Sequence, residues 1–102
     1  MELIHLTDEN FKQETNKQNL VLVDFFATWC GPCRMLAPEL EKVEEQNKEI
    51  VIVKIDVDDC PKTAMQYRID AIPCLFLFEN GVPTKRVEGY VDAGQINKFV
   101  RG

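Results

Sequence analysis

At 102 residues the chain is long enough for one hydrophobic core and too short for two, and its 45% hydrophobic content suits a globular domain. Seventeen acidic against 12 basic residues give a formal net charge of −5, which excludes the basic footprint that nucleic acid or an anionic membrane demands. No apolar run approaches the ~20 residues that span a bilayer. The start, Met1-Glu2-Leu3-Ile4-His5, lacks the basic and apolar regions of an export signal. A cytoplasmic protein folded as a single domain over residues 1–102 is therefore expected.

The elements alternate along the chain, with no repeats, low-complexity tracts or linkers. Leu3 to Leu6 is a short strand, followed by Thr7 or Asp8 as the N-cap of a polar helix from Glu9 to Asn16 that contributes Phe11. Leu20 to Phe26 is nearly continuously apolar and interrupted only by Asp24, the pattern of a central strand covered on both faces. From Pro32 to Asn47 the spacing turns helical, with Leu36, Leu40 and Val43 on one face and a kink expected at Pro38. Ile50 to Ile55 is another buried strand, and Cys60-Pro61 opens a short helix through Tyr67. Cys74 to Phe78 and Thr84 to Gly89 flank Asn80-Gly81, a strong hairpin signal, and an amphipathic helix carrying Ile96, Phe99 and Val100 ends the chain. The order βαβαβαββα predicts an α/β fold whose central mixed sheet of about five strands has four helices on its two faces.

Four cysteines in a chain without an export signal argue against a structural disulfide framework. The pair Cys30 and Cys33, separated by Gly31 and Pro32, stands where a buried strand gives way to a helix. There the backbone N–H groups and the positive end of the helix dipole favour a thiolate on Cys30, the form that attacks disulfides. Cys33 lies one turn deeper, within bonding reach and shielded, so that Cys30 attacks and Cys33 resolves the mixed disulfide. Gly31 permits close approach and Pro32 restrains the pair.

The run Trp29-Cys30-Gly31-Pro32-Cys33 after a buried strand resembles the active site of the thioredoxin family. The resemblance covers essentially residues 1–102, with Asp24, Phe25, Pro38, Lys54, Ile72-Pro73, Gly81 and Gly89 at matching positions. It implies the thioredoxin-like fold and a protein-disulfide reductase with no bound cofactor. NADPH electrons arrive through a partner, thioredoxin reductase, and disulfide-containing proteins are the substrates of a monomeric protein. It also implies that Asp24, whose burial would raise its pKa, assists proton transfer at Cys33. Lys54 either neutralises Asp24 or extends to solvent. The bond before Pro73 is implied to be cis, although the residues alone allow trans. Trp29, Ala71, Ile72, Pro73, Gly89 and Tyr90 are implied to form a substrate groove, with simple packing an equal reading for Tyr90.

The chain departs from the family at Cys74, next to Pro73, which reads either as a small apolar residue at a strand start or as an accessory thiol beside the dithiol. Cys60 reads as an exposed, oxidisable thiol or as an inert one. Glu88 stands where an apolar groove residue is common, which implies a shifted substrate preference. A disulfide oxidase or isomerase is disfavoured by Gly31-Pro32. A zinc module built on Cys30, Cys33, Cys60 and Cys74 lacks a second Cys-x-x-Cys, and no metal is expected. A non-catalytic binding subunit using the groove alone is the remaining alternative. Asp56-Val57-Asp58 does not continue as a calcium loop, because Pro61 and Tyr67 fall at required positions. The lone histidine, His5, offers no Cys-His pair and reads as a surface residue.

Overall fold

In the computed structural model, which describes residues 3–102, the apolar run Leu20–Phe26 is the central strand, β2. Met1 and Glu2, part of the export-signal reading, lie outside the described residues. Before β2 come β1 (Ile4–His5) and α1 (Phe11–Asn16). After it come α2 (Gly31–Gln46), β3 (Val51–Asp56), α3 (Pro61–Gln66), β4 (Cys74–Glu79), β5 (Val82–Glu88) and α4 (Ala93–Arg101). The described residues thus form the mixed five-stranded sheet with four helices, in the order β1-β3-β2-β4-β5. β3 runs parallel to β1 and β2, whereas β4 runs antiparallel to β2 and β5.

Because successive strand residues point to opposite faces, β2 feeds two cores. Val21, Val23 and Phe25 pack with Phe11 of α1, Phe76, Phe78 and Tyr67. Leu22 packs with Leu36, Leu40 and Val43 of α2 and Ile96 of α4. The helices therefore cover both faces, and α2 lies on the face to which Leu22 and Phe26 belong.

Local chemistry moves several boundaries. Only Ile4 and His5 pair with β3, both exposed, while Leu6 turns into the core. α1 begins at Phe11 rather than Glu9, because Thr7 and Asn10 exchange hydrogen bonds and hold an extra turn before it. Asp8 does not cap α1. Its carboxylate accepts the N–H groups of Lys62 and Thr63 and the Thr63 hydroxyl, satisfying the start of α3, where Cys60 makes no side-chain cap bond. The Thr63 hydroxyl foremost holds the Asp8 carboxyl below its usual range. α2 runs through Pro38 without ending.

At the hairpin Asn80 and Gly81 have φ of 53° and 81°, the two positive values of the turn that suits twisted strands. β5 starts at Val82 rather than Thr84, and a register shift at Leu77/Phe78 accommodates Pro83 opposite Phe78. Proline is tolerated there because β5 is an edge strand. A Cβ at Gly81 would meet the Asn16 side chain as well as the left-handed backbone penalty. Gly81→Ala is expected to destabilise the protein by about 1–2 kcal/mol in urea denaturation, and an unchanged midpoint would contradict this account of the turn.

Candidate active site

The two buried faces of β2 fix where its C-terminal end delivers the chain, and after four intervening residues α2 begins. Cys30 is the N-cap residue, in extended conformation with φ −91° and ψ 112°. Its Sγ accepts the backbone N–H of Cys33 at 3.2 Å, satisfying one of the donors that a helix start leaves free. Pro32 sits in the first turn, where its missing N–H leaves no helical bond unmade. Cys30 and Cys33 are joined as a disulfide with Cα atoms 5.2 Å apart, within the ordinary span for such a bond. In this oxidised form both are buried, Cys30 5% and Cys33 2% exposed, so shielding hardly distinguishes them. Their positions do, since Cys30 caps the helix and Cys33 lies inside it.

Asp24 is wholly buried. It shares the α2 face of β2 with Phe26 and stands opposite Lys54 in the parallel ladder. Neither carboxylate oxygen has a hydrogen-bond partner among the described residues, and Lys54 Nζ stays 3.9 Å away. Burial pushes the Asp24 carboxyl up to about 7, the attraction of Lys54 opposing it only in part. The Lys54 side chain is only 13% exposed, so it does not simply extend to solvent. Its ammonium lies 4.3 Å above the Phe26 ring, and its side chain helps line a cavity of about 300 Å3 beside Cys33 and Arg34.

On the other side of the dithiol the Ile72–Pro73 bond is cis. Gly89, at φ 90°, donates its N–H to the Pro73 carbonyl at 2.8 Å, tying the end of β5 to the start of β4. Trp29 is 68% exposed, and its indole N–H donates to Asp58 at 2.9 Å. Trp29, Ala71 and Ile72 line a cavity of about 180 Å3 together with Val57, Ile69 and Asp70. The last three were missed in the sequence, although Val57 follows β3 directly and donates its N–H to Phe26 at the end of β2. Tyr90 is 42% exposed and does not line this cavity.

The extra thiols are core residues. Cys60 is buried and donates its S–H to the Leu6 carbonyl, and burial pushes its pKa up. Cys74 is buried opposite Phe25 and clusters with the aromatic core, whereas Cys30 and Cys33 cluster with Phe26 and Ala27. Burial pushes the Cys74 thiol to about 11. A third sulfur beside the dithiol is thus not observed, because strand alternation turns Cys74 into the other core. The four cysteines are not gathered as a zinc module requires, and no three metal-ligating side chains converge among the described residues. Glu88 is exposed and bound to Arg86 at 2.7 Å. His5 is exposed and meets the Phe26 ring edge-on.

The family model named Thioredoxin matches residues 2–102. The chain is 46% identical over 92 residues to the thioredoxin of Alicyclobacillus acidocaldarius, covering 89% of this chain and 88% of that protein. To the thioredoxin of Listeria monocytogenes it is 44% identical over 100 residues, covering 93% and 96%. A bifunctional thioredoxin reductase/thioredoxin of Mycobacterium leprae is 44% identical over 88 residues, covering 84% of this chain and 19% of that one. Among solved structures, a chain from work on thiol resolution in the yeast mitochondrial 1-Cys peroxiredoxin by glutathione and thioredoxin systems superposes with a TM-score of 0.90. It is 28% identical, with 98% of this chain and 94% of that one covered.

Asp24 ties stability to pH with a definite sign. Its folded pKa of about 7 exceeds the unfolded value near 3.8, so between these values the native state holds a proton that the unfolded chain has released. Stability from this group is complete below about pH 4 and is lost as pH rises through 7. Three pKa units correspond to on the order of 4 kcal/mol. Asp24→Asn should therefore gain stability relative to the parent by several kcal/mol between pH 4 and pH 8 in denaturant titrations, and parallel pH profiles would contradict the assignment.

Proposed function

The chain belongs to the thioredoxin family of disulfide oxidoreductases, and from that premise we propose that it is a general protein-disulfide reductase with Cys30 as nucleophile and Cys33 as resolving thiol. The carrying observation is the Cys30–Cys33 disulfide at the start of α2, with Cys30 Sγ accepting the Cys33 N–H.

In the reduced protein the Cys30 thiolate attacks one sulfur of a substrate disulfide, forming a mixed disulfide and expelling the other substrate sulfur as a thiolate. Cys33 then gives its proton to the Asp24 carboxylate and attacks Cys30 Sγ. The second substrate thiolate leaves, and the Cys30–Cys33 disulfide forms. Two electrons pass from the dithiol to the substrate disulfide, and protons restore its two thiols. A carboxyl with a pKa of about 7 can take up and return a proton near neutral pH, which supports this role for Asp24. Lys54 moderates its charge, Gly31 and Pro32 shape the turn, and Trp29, Ala71, Ile72, Pro73 and Gly89 receive the substrate chain, with Tyr90 at their margin.

The regenerating partner is an NADPH-dependent thioredoxin reductase, a pairing supported by the relative that combines the two names in one chain. The protein itself needs no resident cofactor and works as a cytoplasmic monomer. No helix among the described residues is long and apolar enough to cross a membrane.

Insulin disulfide reduction driven by NADPH and thioredoxin reductase tests the proposal. Cys30→Ser should lower the rate by at least about a hundredfold, and Cys33→Ser should accumulate a mixed disulfide through Cys30. Retention of reductase activity by Cys30→Ser would overturn it.

A further inference from the structure

β5 is an edge strand whose side chains mostly face solvent, yet Arg86 on it is engaged in several directions at once. Nη1 donates to the Tyr67 carbonyl at 2.9 Å, and Nη2 donates to the Arg68 carbonyl at 3.1 Å and to Glu88 at 2.7 Å. Nη2 also lies 3.7 Å from the Asp70 carboxylate, and the guanidinium sits 5.2 Å over the ring of Phe76, its partner across the ladder. α3 ends at Gln66, and Arg68 follows with a φ of 52°, so the carbonyls of Tyr67 and Arg68 leave the helix without helical donors. A planar guanidinium fork can bridge two adjacent carbonyls, whereas a lysine ammonium is a single point of charge.

The next four residues, Ile69 to Ile72, line the cavity beside Trp29. Ile69 donates its N–H to Ala64, but among the described residues no backbone–backbone hydrogen bond outside helices and strands involves Asp70, Ala71 or Ile72. Just beyond them, Pro73 is tied to Gly89. The groove wall therefore hangs between the Ile69–Ala64 bond with the Arg86 side chain at one end and the N–H of Gly89, just past β5, at the other.

We infer that Arg86 is a positioning residue which fixes the groove wall Ile69–Ile72, and so sets affinity for protein disulfides without touching the substrate or the dithiol. The inference rests on the reductase reading and adds a determinant of its affinity for protein disulfides. Glu88, two residues on, is part of the same device, since its carboxylate orients the guanidinium.

The test mixes pre-reduced protein with insulin or with the small aromatic disulfide dithiobis-nitrobenzoate and follows oxidation of the dithiol in single turnover. For Arg86→Gln the half-saturating insulin concentration should rise about fivefold, with the limiting rate, the rate with the small disulfide and the reduction potential unchanged. Arg86→Lys, which keeps charge and bulk, should not restore insulin affinity. Unaltered insulin saturation, an equal fall with both disulfides, or full rescue by lysine would overturn the role of the fork. If the parent protein reduces neither disulfide, the reductase reading itself falls, an outcome distinct from a parent that reduces both and a variant that matches it.

Discussion

The hydrogen bond from the Cys33 N–H to Cys30 Sγ joins the fold to the chemistry. A helix start leaves backbone donors to be satisfied, and in α2 a cysteine sulfur takes the place usually held by a hydroxyl or carboxylate oxygen. When the disulfide is reduced, the same donors and the helix dipole favour negative charge on that sulfur. The arrangement holds only if α2 cannot turn or slide. Leu36, Leu40 and Val43 prevent that by packing on Leu22, Ile52 and Ile96, all wholly or almost wholly buried. The core on the α2 face thus aims the N–H groups at Cys30.

Beneath this helix the polarity reverses. Asp24 occupies a wholly buried position in β2, and its unpartnered oxygens disfavour negative charge. A helix terminus contributes about 0.3–1 kcal/mol to a nearby charge, up to about 2 in partly buried geometries. Burial of Asp24 is a larger effect, on the order of 4 kcal/mol from its displaced pKa. Stability is therefore given up at neutral pH to keep a proton acceptor of intermediate strength in the interior. Lys54, opposite Asp24 in the ladder and beside the cavity at Cys33, limits that loss without removing it.

Much of this was legible in the residues. Leu20–Phe26 could be read as a doubly covered strand because only Asp24 breaks it, and Asn80-Gly81 announced its turn through the need for two positive φ values. Cys30-Gly31-Pro32-Cys33 at a strand-to-helix boundary pointed to thiol chemistry before any fold was known. What escaped depends on contacts between distant residues. Asp8 is a plausible cap for the helix that follows it, and nothing local reveals that its carboxylate serves Thr63. The side of the sheet taken by Cys74 depends on strand phase, which is set by its pairing with Phe25 of β2, a contact between distant residues. Val57 and Ile69 look like ordinary core residues, and Arg86 like any charge on an edge strand, until the chain folds around them.

The central claim is that Cys30 and Cys33, three residues apart, sit in opposite electrostatic settings. The most direct measurement is the pH dependence of alkylation of each thiol in the reduced protein, with the modified residue identified by peptide mass. The account predicts that Cys30 titrates below the ordinary thiol value of about 8.5 and that Cys33 titrates above Cys30. Two thiols titrating together near the ordinary value, or Cys33 titrating first, would contradict it.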